Sequence, residues 1–211
     1  KKIILVSLLI LLAGCQSAYY AAWEKVGVEK RDILVDRVKD AKESQEDAQQ
    51  QFSSALDEFS QLINFNGGKL QDVYSQLKDQ FEASEDSAAS VTVRIDKVES
   101  VAEALFDEWQ EELEKYTNKT LKRDSQRKLK DTQRRYQSLL SAMRKAESKM
   151  DPVLSALRDN VLYLKHNLNA SAIGALQGEF SGIKKEINQL VSEMNKAIAE
   201  SNSFISSMKG Q

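Results

Sequence analysis

Cys15 and His166 are the only thiol and the only imidazole in the chain, so covalent, metal and acid–base chemistry start from a short supply. A hydrolase or transferase needs a positioned nucleophile, a base and donors for developing charge. His166 has no second His or free thiol with which to share a metal, and it reads instead as a helix-end residue. Glu103, Asp107, Glu108, Glu111, Glu112 and Glu114 form an acidic run that could attract divalent cations. Carboxylates spread around a helix lack the coordinating loop of a calcium site, so the run reads as a solvated face. There is no phosphate-binding glycine loop and no dinucleotide fingerprint. The expectation is a protein that is no enzyme and holds no metal and no cofactor.

The chemistry open to Cys15 is set by what precedes it. Lys1-Lys2, the apolar run Ile3 to Leu12, and the small residues Ala13-Gly14 read as a secretory signal. The run is ten residues long, whereas a helix needs roughly 20 to cross a hydrocarbon core. Leu12-Ala13-Gly14-Cys15 resembles the lipobox of bacterial lipoproteins. That resemblance implies a thioether-linked diacylglycerol on Cys15, cleavage after Gly14 and acylation, typically with palmitate, of the new amino terminus. An ordinary cleaved signal with Cys15 as a stray thiol is the alternative. A lone thiol in an oxidising compartment has no internal disulfide partner, and lipidation removes that liability. Each buried methylene contributes roughly 0.8 kcal/mol and one myristoyl chain binds reversibly, so three chains should hold permanently. Gln16 follows Cys15, where an Asp in enterobacterial lipoproteins signals inner-membrane retention. The expected location is therefore the periplasmic face of the outer membrane, with the inner membrane as the alternative.

Taking Lys1 and Lys2 from the 30 basic residues leaves 28 against 32 acidic, a mature charge of −4. Nucleic-acid binders usually carry a basic excess, so nucleic acid is not an expected partner. Pro152 is the only proline, and 29% of the chain is charged. Few breakers and many charges favour long helices. Steps of four and three select an apolar stripe in each of four segments, among them Leu34 to Leu62, Leu70 to Tyr116, Leu129 to Leu164 and Ile173 to Met208. A 3.5-residue repeat turns one narrow face inward and supercoils the helices. The predicted fold is all-α: an elongated antiparallel bundle or coiled coil of about four helices, roughly 19–63, 69–117, 120–167 and 171–208. The signal covers 1–14, the lipidated Cys and a short tether 15–18, and the bundle 19–208. An extended coiled-coil hairpin completed by dimerisation fits the same stripes.

The turns are placed by composition. Asn64-Phe65-Asn66-Gly67-Gly68 and Asn167-Leu168-Asn169 carry stop signals. Between the second and third stripes the phase is lost across 117–128, and a turn near Asn118 would set the acidic run against Lys119, Lys122, Arg123, Arg127, Lys128, Lys130, Arg134 and Arg135. That turn predicts Glu114 near Arg123, Asp107 near Lys130 and Glu103 near Arg134. One continuous rod over 69–166 is the competing reading. Ser84 to Thr92 is a weak helix former and could kink. Pro152 predicts a kink in the third helix, unless Asp151-Pro152 begins a new one.

Two surfaces are candidates for contact. Lys119, Lys122, Arg123, Arg127 and Lys128 return to the anchored end and could meet anionic headgroups, with Tyr19, Tyr20 and Trp23 at the interface. A solvated tip with intramolecular pairing is the alternative. Gly174, Gly178 and Gly182 repeat every four residues, nearly opposite the Ile173/Leu176/Phe180/Ile183 stripe. Close approach by a partner helix or a second copy would explain them, as would a locally soft helix start.

Tyr19-Tyr20, the stretch Glu24 to Val35, Ala104-Leu105-Phe106-Asp107-Glu108-Trp109, Met150-Asp151-Pro152-Val153-Leu154 and Leu164 to Ala170 together resemble a family of proteobacterial lipoproteins known only as a domain of unknown function. The resemblance covers nearly the whole mature chain. It implies a helical fold and a lipid anchor, and it carries over no activity and no catalytic residue. The expected role is a non-enzymatic structural or interaction protein, a tether or scaffold, anchored to the membrane and meeting an unidentified envelope protein or a second copy. A regulatory binding module for an envelope enzyme or transport complex is the alternative.

Overall fold

The computed structural model describes residues 29–64 and 69–209, and every regular element among them is a helix. In chain order these are α1 (Lys30–Ile63), α2 (Leu70–Leu113), α3 (Lys119–Glu147), α4 (Met150–His166) and α5 (Ala170–Lys209). The predicted helix over 19–29 lies mostly outside the described residues. α1 packs on α2 and α5, and the α3–α4 pair packs on the same two helices from the other side. The chain therefore closes an up-and-down four-helix bundle in which sequence neighbours are spatial neighbours, the outcome short connections favour. Each packed pair runs antiparallel. On the α1–α2 seam Ser44 meets Ser90 and Gln51 meets Gln80, and on the α3–α5 seam Lys145 meets Glu193.

The heptad stripes are the core. On α1 the buried set is Ile33, Leu34, Val38, Ala41, Gln45, Ala48, Phe52, Ala55, Phe59 and Leu62, the expected stripe plus Ile33. α3 and α4 bury their predicted positions from Leu129 to Leu164 without exception. Fully burying a side chain such as Phe52 is worth roughly 1.5–3 kcal/mol, so the stripe rather than intrinsic propensity holds these long helices in place. Phe59 on α1 and Phe180 on α5 stack with centroids 5.8 Å apart, tying the seam near the end away from Lys30.

The stripe departs from expectation at the end of α2. The heptad spacing turns Glu112 and Tyr116 inward, but both are exposed, and Val101 and Leu113 are buried. A straight helix drifts about 20° per heptad against a strict 3.5 repeat. After six heptads the inward face of α2 has moved by one position.

The chain turns at Glu114–Asn118, which excludes the continuous rod. Asn118 caps α3: its side-chain oxygen accepts from the Thr120 and Leu121 amides at 2.9 and 3.2 Å, satisfying two donors that a helix start leaves orphaned. Ser84 to Thr92 does not break α2. The Ser84 hydroxyl donates to the Gln80 carbonyl at 2.7 Å, and burial of Ser84, Ala88 and Val91 against the bundle outweighs weak propensity.

The predicted helix 120–167 is two helices. Its break falls at Ser148–Lys149, so a new helix begins at Asp151-Pro152 to within one residue, with Pro152 third in α4, and the third helix is not merely kinked. In an unbroken helix the Pro152 ring would collide with the carbonyl four residues earlier, that of Ser148, and offer it no N–H. Breaking the ladder there relieves both. The stripe keeps phase across the break through Ala146, Met150 and Val153.

Candidate functional site

The two ends of the bundle differ, and the difference places the candidates among the described residues. At one end Arg31 donates to the Met208 carbonyl, and Lys30 pairs with Glu108 at 3.0 Å. The start of α1, the end of α2 and the end of α5 therefore lie together, beside the α2–α3 turn. At the opposite end Gln177 donates to the Ile63 carbonyl at 2.8 Å, beside the α4–α5 turn. That turn is capped from both sides: the Asn167 amide donates to the Tyr163 carbonyl and Asn169 accepts from the Ala172 amide. His166 is the exposed last residue of α4, as its helix-end assignment predicts.

Lys119, Lys122, Arg123, Arg127 and Lys128 occupy the first three turns of α3, directly after the cap. Lys122 reaches back to Glu114 at 3.0 Å. Asp124 holds both Arg127 and Lys128, the latter at 3.4 Å. No ion pair joins Lys119 or Arg123 to another described residue. At the tip the predicted Glu114–Arg123 pair is replaced by Glu114–Lys122, one residue away. Among the described residues, Asp107–Lys130 and Glu103–Arg134 do not pair, and Arg134 bonds Asp131 on its own helix at 2.9 Å. Packing contacts and one side-chain hydrogen bond also join this seam. Trp109 donates to the Ser125 hydroxyl at 2.8 Å, and Phe106 meets Tyr136 edge-on at 5.4 Å. Each loose surface pair is worth about 0.2–1 kcal/mol, and a buried aromatic contact about 0.5–1.5 kcal/mol beyond its area.

Cys15, Tyr19, Tyr20 and Trp23 lie outside the described residues. Gly174, Gly178 and Gly182 are exposed along α5, and a methyl group built on any of them meets open space. They therefore do not serve a close approach within the bundle.

Sequence reasoning missed the most connected ion cluster. Arg144 of α3 holds Asp96 at 2.7 Å and Glu99 on α2, and Glu147 at 2.9 Å on its own helix. Partial burial pulls its guanidinium toward deprotonation, but the three carboxylates outweigh that and hold it above its ordinary range. Only the seam geometry brings these residues together. The cluster borders a groove of about 510 Å³ lined by Glu85, Ala88, Thr92, Met150, Asp151 and Leu154. A second groove, of about 430 Å³, runs between α4 and α5 past Asp159, Tyr163, Leu176 and Glu179. Both are open to solvent, and in the first the Thr92 and Ser148 hydroxyls donate to the Ala88 and Lys145 carbonyls at 3.3 and 2.9 Å. Tyr136 is the one buried phenol with no hydrogen-bond partner among the described residues, and burial first, then Glu99 and Glu103, push its hydroxyl well above the usual range. These surroundings favour its protonated form. No three His, Cys, Asp or Glu side chains among the described residues converge to hold a metal.

Long heptad-packed helices around an apolar core, with open charged grooves on the outside, define this as an elongated antiparallel four-helix bundle. The chain belongs to the DUF2959 family of proteins of unknown function, which it matches over residues 19–208. No curated protein and no solved structure matches it.

Proposed function

We propose that this protein is a lipid-anchored, non-enzymatic tether or scaffold on the periplasmic face of the bacterial outer membrane. The observation that carries the reading is the combination of Leu12-Ala13-Gly14-Cys15 with a stiff bundle whose α1 begins fifteen residues later, at Lys30. Lipid on Cys15 would hold the Lys30 end near the bilayer. α2, with 44 residues at about 1.5 Å each, would carry the opposite end about 66 Å away. No described helix is long and apolar enough to cross a membrane, so on this reading the acyl chains supply the attachment.

Mass spectrometry of the native protein tests the anchor: the N-terminal peptide should begin at Cys15 and carry three acyl chains. An unmodified thiol, or cleavage elsewhere, rejects it. The tether role is tested by removing two heptads in register from all four arms. A tether should lose function with length and tolerate surface changes.

A second reading, a regulatory binding module for an envelope enzyme or transport complex, is favoured by one feature. Leu162, Tyr163 and Leu168 are exposed together at the end away from Lys30, at 53%, 42% and 37%. A regulator should fail on Tyr163→Ser or Leu162→Ser while keeping its fold and its length requirement should be slight.

A further inference from the structure

The α2–α3 turn carries exposed apolar groups that the fold does not use. Tyr116 is 41% and Leu121 56% exposed, on opposite sides of the Asn118 cap. They lie within a few residues of each other on the turn, next to Lys115, Lys119 and Arg123, all exposed. Lys122 offsets Glu114, and against the three exposed cations stand Glu112, which lines the same hollow as Lys115, Tyr116 and Leu121, and Glu111 beside it on α2. Apolar tips among cations complement an anionic interface: the rings and methyls enter the headgroup layer while the amines meet phosphate.

The turn is also on the correct end. Lys30–Glu108 and Arg31–Met208 put it beside the start of α1, the end nearest Cys15 in the chain. We infer that the α2–α3 turn is a foot that seats on an anionic lipid surface, with Tyr116 and Leu121 in the headgroup layer and Lys115, Lys119 and Arg123 on phosphates. The inference rests on the anchor reading for its orientation but not for its chemistry. A second contact would stop the bundle from swinging about the lipid anchor and hold it upright.

The test separates foot from anchor by using the mature chain, residues 15 onward with Cys15→Ser, which lacks the apolar run 3–12. An environment-sensitive thiol dye is placed on Leu121→Cys, and in a parallel chain on Leu168→Cys at the far end. Vesicles of phosphatidylcholine with 30% phosphatidylglycerol should blue-shift the dye at residue 121 and leave the dye at 168 unchanged. Pure phosphatidylcholine should give little shift at either. Lys119→Gln and Arg123→Gln should each weaken partitioning about fivefold. Equal shifts at both sites, an equal shift on neutral lipid, or indifference to the two charge changes overturns the inference. So does a silent dye at 121, including the case in which that residue crosslinks to a protein partner instead. None of these outcomes depends on whether Cys15 is acylated in the native protein.

Discussion

Arg144 on α3 bonds Asp96 on α2 at 2.7 Å, across the seam that the α2–α3 hairpin closes. The same guanidinium takes Glu99 and Glu147, so one side chain satisfies three carboxylates from two helices. Arg144→Met should destabilise the bundle by about 1 kcal/mol, at the top of the range for exposed pairs because several carboxylates lose their partner together. The loss should shrink in 0.5 M salt. Arg144→Lys should restore only part of it, since an ammonium cannot present the same fork. Urea denaturation at two ionic strengths checks this, and a salt-independent loss would show that packing of the arginine stem dominates.

Gln45 is wholly buried on α1, and neither its amide nitrogen nor its amide oxygen has a partner among the described residues. An unpaired buried amide costs roughly 1–3 kcal/mol. Gln45→Met keeps the length and flexibility of the side chain and removes both polar atoms. It should raise stability by about 1–2 kcal/mol, read as a higher urea midpoint with an unchanged slope. A lower midpoint would mean that the amide is satisfied in solution.

Glu193 on α5 is held below its ordinary value first by Lys196 on the same helix and then by Lys145 on α3. A depressed carboxylate contributes stability that is full above its unfolded pKa and is lost as pH falls through the folded one. Stability should therefore decline with acidification from about pH 5 downward, the region where glutamate titrates. Glu193→Gln should flatten part of that slope and leave it unchanged above pH 6. Thermal melts of both proteins between pH 3 and pH 7 measure it.

Gly174, Gly178 and Gly182 have room for a methyl group, so changing all three to Ala should stabilise α5 by up to about 1 kcal/mol per site. Light scattering of the same variant reads self-association. If a second copy packs on this face, the stabilised variant should become more monomeric; an unchanged mass assigns the glycines to a soft helix start.

The core was legible because it is a periodic property. Leu34 through Leu62 and Leu129 through Leu164 follow one spacing, and that spacing alone says which face turns inward. Asn118 and the Asn167–Asn169 turn were legible for a local reason, since a short polar side chain bonds backbone within three residues of itself. The sequence also supplied the Cys15 motif, on which the proposed address rests.

Tertiary structure decided what depends on distance between helices. It chose the partners along the α2–α3 seam, Phe106 with Tyr136 and Glu114 with Lys122, where the charge pattern named Arg123 for Glu114. It gathered Arg144 with Asp96 and Glu99, residues more than forty positions apart, and put Tyr116 and Leu121 outside the core. It moved the break to Ser148, where the carbonyl that Pro152 cannot bond lies. A repeat specifies which face of each helix is buried; how far one helix slides along another is settled only when their side chains meet.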